Sequence, residues 1–225
     1  MKVTVLGSGT SQGVPVIACE CEVCKSSNTK DKRTRCSILI ETNGKVIVVD
    51  TGPDFRYQML RSDVKDLDAV LFTHEHKDHL AGLDDIRAFN FKRGGKPMDV
   101  FANKDVQEAL KREYSYIFAK NKYPGIPKIN LKSISKQKFH IENLEVIPVE
   151  VLHYKLPVLG FRVKNFAYIT DANFISETEK KKLKKLDVLI LNALRKTEHI
   201  SHYNLEQAID LMHELKPKKA YLTHI

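Results

Sequence analysis

A chain of 225 residues, 42% of them hydrophobic, can bury a substantial core and reads as one compact domain spanning 1–225; 29% charged and 8% aromatic residues exclude a disordered or collagen-like polypeptide. The formal charge of +9 admits an anionic substrate or nucleic acid, but much of it lies in runs such as Lys180-Lys181-Lys182 and Lys184-Lys185, whose first reading is a solvated helix face. Met1 to Leu6 runs straight into Gly7-Ser8-Gly9, too short for a secretory leader, and no apolar run approaches the ~20 residues of a membrane span, so the expectation is a cytoplasmic protein with no membrane partner.

The first strand expected is Lys2 to Leu6, which empties into the glycine-rich stretch Leu6 to Gly13. No helix pattern follows to present its N-terminus, so these glycines read as serving a tight turn rather than a phosphate cradle. A Cys-rich insertion at 19–24 comes next: Cys19, Cys21 and Cys24, in C-x-C-x-x-C spacing without strand or helix periodicity, could converge on one zinc ion, while Cys36 stands apart as a core residue. Strands Ser37 to Glu41 and Lys45 to Val49 flank Asn43-Gly44, a hairpin turn of two residues that tolerate positive φ. Further strands are read at Ala69 to Thr73, Asp99 to Ala102, Leu144 to Val151, Leu159 to Val163, Phe166 to Thr170, Asp187 to Asn192 and Ala220 to Thr223, with a second tight turn at Lys164-Asn165. Helices are expected at Lys104 to Lys120, Ser176 to Lys185 and Leu205 to Leu215, the last capped by Asn204 and stopped by Pro217. Asn121 to Lys138, with Pro124, Gly125 and Pro127, reads as a long lid-like loop. Hairpins followed by strand-helix-strand units point to an α/β sandwich.

The densest chemical signal is Thr73-His74-Glu75-His76-Lys77-Asp78-His79, which sets three imidazoles and Asp78 just beyond an apolar strand. Imidazole and carboxylate donors suit zinc, manganese or iron, and a turn leaving the carboxyl end of a strand can aim them into one pocket. His153, Asp171 and His224 each end a later apolar run. Recurrence at strand ends is the pattern of a site assembled from separate loops.

His74-x-His76-x-Asp78-His79, with later His153, Asp171 and His224, resembles the metallo-β-lactamase superfamily over nearly the whole chain. The resemblance implies that superfamily's αβ/βα sandwich and two active-site divalent ions, zinc or manganese. His74, His76 and His153 would hold one; Asp78, His79 and His224 the other; Asp171 would bridge them. Asp50-Thr51-Gly52 resembles the early Asp-x-Gly element that supports the metal loop without ligating. Leu6 to Gly13, the Cys19-Glu20-Cys21-x-x-Cys24 insertion and Cys36-Ser37 narrow the likeness to the PhnP-like, phosphoribosyl cyclic phosphodiesterase branch, which neighbours the tRNA 3′-processing endonucleases. There His202 matches a histidine that faces the substrate phosphate, giving His202 and Asp78 catalytic roles, with His202 as an imidazolium; His199 reads as a decoy. In that branch a histidine shortly after the His224 position joins the three cysteines on a structural zinc. This sequence stops at Ile225, so the expectation is a truncated C-terminal end.

These residues point to hydrolysis of a small cyclic or nucleotide-like phosphodiester through a metal-bridging hydroxide. Precursor-tRNA cleavage is the alternative that makes RNA a partner. Hydrolysis of a non-phosphate ester, or a scaffold merely stabilised by metal, are further readings. A homodimer is expected from the resemblance alone.

Overall fold

The computed structural model describes residues 1–121 and 123–225; Lys122, inside the expected long loop, lies outside the described residues. The chain divides into two compact units, Met1–Gly7 with Ser27–Ile134, and Ser8–Ser26 with Ser135–Ile225. Strand β1 (Lys2–Gly7) belongs to the first; the segment after it carries the one-turn helix α1 (Glu22–Lys25) of the second.

The chain re-enters the first unit with β2 (Ser37–Thr42) and β3 (Lys45–Val49), followed by α2 (Phe55–Arg61), β4 (Ala69–Leu71), α3 (Lys77–Leu80), α4 (Arg87–Lys92), β5 (Met98–Ala102), α5 (Lys104–Glu113), α6 (Ser115–Phe118) and β6 (Ile129–Ser133). The six strands form one sheet in order β1-β2-β3-β4-β5-β6, antiparallel as far as β3 and parallel beyond it. Asn43 and Gly44 make the β2–β3 turn with φ of 51° and 72°, the left-handed pair such a hairpin needs. Ile47, Val48, Val49, Ala69, Val70 and Leu71 are wholly buried, as strands covered on both faces must be, and Phe55, Met59, Val106 and Leu110 bring helices onto that core.

Two expectations are corrected in this unit. The helix read over Lys104 to Lys120 breaks at Tyr114, whose side chain turns inward and donates its hydroxyl to Leu80 O at 2.7 Å, so α5 and α6 are separate. The loop read over Asn121 to Lys138 contains β6, because Ile129 and Leu131 pack on the core while the backbone pairs in parallel with β5. Helices α2 and α4 were not expected.

The second unit holds β7 (Phe139–Ile141), β8 (Leu144–His153), β9 (Leu156–Val163), β10 (Phe166–Ile169), α7 (Glu177–Lys182), β11 (Val188–Asn192), α8 (Leu205–Leu215) and β12 (Lys219–Thr223). Its sheet runs β12-β11-β10-β9-β8-β7, with β10, β11 and β12 parallel and the remainder antiparallel. Val149, Val151, Ala167, Ile169, Leu189 and Leu191 meet Leu211 and Leu215 of α8 in its core. Two mixed six-stranded sheets with helices make an α/β fold. Among the described residues no helix is long and apolar enough to cross a membrane.

Helix α8 begins at the expected cap. Asn204 Oδ1 accepts the Gln207 amide at 2.8 Å, and Gln207 Oε1 accepts the Asn204 amide at 3.0 Å, a reciprocal box. Asn204→Ala is expected to cost about 1 kcal/mol, read as a lower urea midpoint at unchanged slope; an unmoved midpoint would show that packing alone holds the helix start.

Candidate metal-binding residues

In the first unit Asp50 orients two of the donors, His79 directly and His74 through Thr73. Asp50 follows β3 with φ of 65°, and three donors converge on its buried carboxylate: the Thr73 amide at 2.9 Å, the Thr73 hydroxyl at 2.9 Å and His79 Nδ1 at 2.8 Å. Burial pushes the Asp50 carboxyl above its ordinary value, opposed by His79 and the Thr73 donors. Surrounded by donors, it is read as the ionised, accepting form.

The proton positions then follow. Thr73 Oγ1 spends its one hydrogen on Asp50, so at its 2.9 Å contact with His74 Nδ1 it accepts, leaving His74 Nε2 as a lone pair. His79 donates from Nδ1 to Asp50, which leaves its Nε2 as a lone pair 3.1 Å from Asp78 Oδ2. His76 caps α3 from outside the helix with its Nδ1 3.0 Å from His74 Nε2. A second hydrogen bond that fixes the tautomer is how metal-binding histidines are prepared. Backbone contacts brace the same loop: Thr51 N donates to His79 O at 2.7 Å and Gly82 N donates to Thr51 O at 2.7 Å. Gly52 is needed because a Cβ there would lie 2.1 Å from Asp78 O.

The second unit gathers its donors at the ends of β8, β10 and β12. His153 donates from Nδ1 to Ser201 O at 2.9 Å, which again leaves Nε2 as the lone pair. Asp171 and His224 adopt left-handed φ of 58° and 56°, and His224 Nε2 lies 3.1 Å from Asp171 Oδ1. Such conformations are uncommon for non-glycine residues and cluster at functional sites. Thr170 donates its hydroxyl to Asp171 Oδ2 at 2.5 Å, while buried Asn192 pins the next residue through both Ala172 N and Ala172 O, at 2.8 and 2.9 Å. His153, Asp171 and His202 each bring one donor atom within 4.8 Å of the others. The His202 ring stacks on His224 at 4.6 Å, and its buried Nδ1 makes no hydrogen bond. Burial pushes the His202 imidazole down to about 3, against the pull of Asp171. A bound anion beside it would raise its proton affinity.

Cys19, Cys21 and Cys24 place their sulfurs within 4.8 Å of one another, and Cys36 is buried in the other unit. The Val16 amide donates to Cys24 Sγ at 3.3 Å and the Cys24 amide to Cys21 Sγ at 3.5 Å. Hydrogen bonding from Cys24 pulls the Cys21 thiol below its usual range; at Cys24 the Val16 amide pulls the same way but is outweighed by burial and the neighbouring thiols, which push it up. Three soft donors, two of them accepting amide hydrogens, suit zinc.

Sequence reasoning singled out each donor but passed over Thr73, Thr170, Asn192 and the Ser201 carbonyl, which orient them. For Thr73 the signal was its place directly before His74, on the last turn out of β4. Thr73→Val keeps the shape and removes both hydroxyl contacts, so affinity for zinc is expected to fall at least about tenfold, measured by competition with a chromophoric chelator. Unaltered affinity would show that the hydroxyl does not hold His74.

Residues 45–225 match the profile of the Beta-lactamase superfamily domain. A Porphyromonas gingivalis protein named octanoyltransferase is 41% identical over 228 residues, covering all of this chain and 46% of that protein. A Staphylococcus epidermidis ribonuclease Z is 26% identical over 170 residues, 73% of this chain and 49% of the relative. The chain therefore spans about half the length of these curated relatives. Among solved structures, a diphosphatase from the PhnP family superposes with a TM-score of 0.93 at 39% identity, covering 99% of this chain and 85% of that one. Human tRNase Z, short form, shares the fold at a TM-score of 0.72 and 17% identity, with 100% and 92% covered. With its two mixed six-stranded sheets and its histidine and aspartate donors at strand ends, the chain belongs to the metallo-β-lactamase superfamily and, within it, to the PhnP family.

Proposed function

We propose that the protein hydrolyses a phosphodiester or diphosphate linkage in a small nucleotide-like molecule, using two divalent ions, zinc or manganese. His74, His76 and His153 would hold one, Asp78, His79 and His224 the other, and Asp171 both, as in the family. The observation that supports this is the fixing of Nδ1 protons on His74, His79 and His153, which makes each Nε2 an acceptor atom of the kind a metal takes. Paired cations supply a hydroxide at neutral pH and neutralise charge on the attacked phosphoryl group. His202, buried beside Asp171, would hydrogen-bond a phosphoryl oxygen or pass a proton to the leaving oxygen. Likeness to a PhnP-family diphosphatase extends the reading from cyclic diesters to diphosphates. The cysteine triad, with Cys19 and Cys21 exposed and Cys24 half-buried, is proposed to hold a structural zinc.

The test is phosphorus NMR of a ribose 1,2-cyclic phosphate and of ADP-ribose with manganese-loaded protein, with His76→Ala in parallel. Metal-dependent conversion to monoesters, lost in the variant, is expected. Unchanged spectra for both compounds would overturn the reading and turn attention to precursor tRNA or a non-phosphate ester.

A further inference from the structure

Separate segments of the second unit meet around residues 172–174, and each carries a side chain of the candidate site: the β8–β9 turn follows His153, the chain leaving β10 holds Asp171, and the loop ahead of α8 holds His202. Backbone bonds make the framework. Asn173 N donates to Leu152 O at 2.8 Å and Leu152 N to Phe174 O at 2.9 Å, an antiparallel bridge that ties the second segment to the first. Tyr203 N donates to Ala172 O at 2.7 Å, which ties the third to the second. The Asn173 side chain then joins the first to the third. Its Oδ1 accepts from Tyr154 N at 2.8 Å, one residue after His153, and its Nδ2 donates to Ile200 O at 3.3 Å, two residues before His202. The amide faces an N–H on one side and a carbonyl on the other, so its oxygen and nitrogen cannot be exchanged without losing both bonds.

The loop is thereby held on both sides of His202. Ahead of it consecutive carbonyls are taken, that of Ile200 by Asn173 and that of Ser201 by His153 Nδ1 at 2.9 Å. Behind it, Tyr203 is anchored on Ala172, which buried Asn192 pins through both its N and its O. Ile200 is 68% exposed, so packing does little to fix the peptide that Asn173 grips. We propose that Asn173 is a positioning residue for the hydrolysis: it ties the loop of His202 to the turn of His153 and so sets where the His202 imidazole stands. This role rests on the hydrolytic reading above, in which His202 meets the phosphoryl group. Asn173 acts through His202 rather than on substrate. A displacement of about 1 Å at a reacting group can cost on the order of a hundredfold in rate, and loosening one grip among several implies a smaller loss.

Asn173→Ala and His202→Ala, singly and together, test this in the manganese-loaded full chain with ADP-ribose and ribose 1,2-cyclic phosphate as substrates. Asn173→Ala is expected to lower kcat about tenfold with KM within about twofold of wild type. Added to His202→Ala it is expected to cost less than about a further twofold, since nothing is left for it to place. Both bonds of the Asn173 side chain are exposed to solvent. The thermal midpoint is therefore expected to stay within about 4 °C of wild type, with bound manganese unchanged by elemental analysis. Amide hydrogen exchange, followed by NMR on the zinc-loaded chain, needs no turnover. In Asn173→Ala the Tyr154 amide loses its acceptor, and the Tyr203 amide, on the far side of His202, is expected to exchange about tenfold faster. Losses that multiply in the double variant overturn the proposal, because Asn173 then acts independently of His202. So does a fall in bound manganese that matches the fall in rate, which would make Asn173 a support of His153 alone. Faster exchange at Tyr154 with Tyr203 unchanged also overturns it, since the loop then holds without the side chain. If wild type cleaves neither substrate, the hydrolytic reading fails, while faster Tyr203 exchange still shows Asn173 holding the loop.

Discussion

Asp171→Asn is expected to lower hydrolysis about a thousandfold while leaving the metal-free protein at least as stable as wild type. Both effects come from one carboxylate. Asp171 is buried, holds φ of 58°, and faces His224 on one oxygen and the Thr170 hydroxyl on the other. Asparagine tolerates the left-handed conformation and still accepts from Thr170, so backbone and shape survive. What goes is a negative charge that costs free energy to bury without a cation and that would bridge two of them when they are bound. Loss of an electrostatic partner of the reacting group is worth two to three powers of ten in rate. Initial rates with manganese, together with thermal midpoints in chelator, test both halves. Activity within about tenfold of wild type would remove Asp171 from the reaction, and a large drop in the metal-free midpoint would make it a structural residue.

Gly52→Ala should disturb the donors without touching one. The added Cβ would stand 2.1 Å from Asp78 O, a backbone atom of the helix turn that carries Asp78 and His79. Backbone cannot step aside as a flexible side chain can, and Thr51 ties the same turn down through His79 O and Gly82 N. Forced overpacking of this kind costs about 3 kcal/mol, which for a chain of this size lowers the thermal midpoint by roughly 6–12 °C. Bound metal, measured by elemental analysis after dialysis, is expected to fall in the same variant. A midpoint within about 2 °C of wild type, with metal retained, would show that the loop has slack the contact does not suggest.

The parts legible in the sequence were those where one signal sufficed. Asn43-Gly44 marked its hairpin because each residue accepts the required φ, and Asn204 marked the start of α8 because its side chain caps the helix, although its partner Gln207 was passed over. His74, His76, Asp78 and His79 declared themselves by density, and His153, Asp171 and His224 by their places at the ends of apolar runs. Helix α2 escaped because seven residues hold too few turns for periodicity to accumulate, though Phe55, Gln58 and Met59 do lie on one buried face. Strand β6 was hidden by the prolines and glycine before it, and only its parallel pairing with β5 makes Ile129-Asn130-Leu131 a strand. At the candidate site, donor identity was readable but donor preparation was not. The contact of Asp50 with Thr73 and that of the Ser201 carbonyl with His153 join residues that only the tertiary fold brings within hydrogen-bond reach.

The division of the chain also sets an order of assembly during synthesis. All of the first unit is present once Ile134 has been made, and its pairings from β1 to β6 need nothing later. The segment Ser8–Ser26, made early, instead waits for Ser135–Ile225; the Ile225 amide closes on Ser8 O at 2.9 Å. Joining such distant segments carries a loop-closure entropy that adjacent strands avoid, and contacts of this kind form late. Cys19, Cys21 and Cys24 therefore leave the ribosome long before the body of their unit exists. During that interval they are accessible thiols, open to a metal ion or an oxidant before the fold has gathered around them.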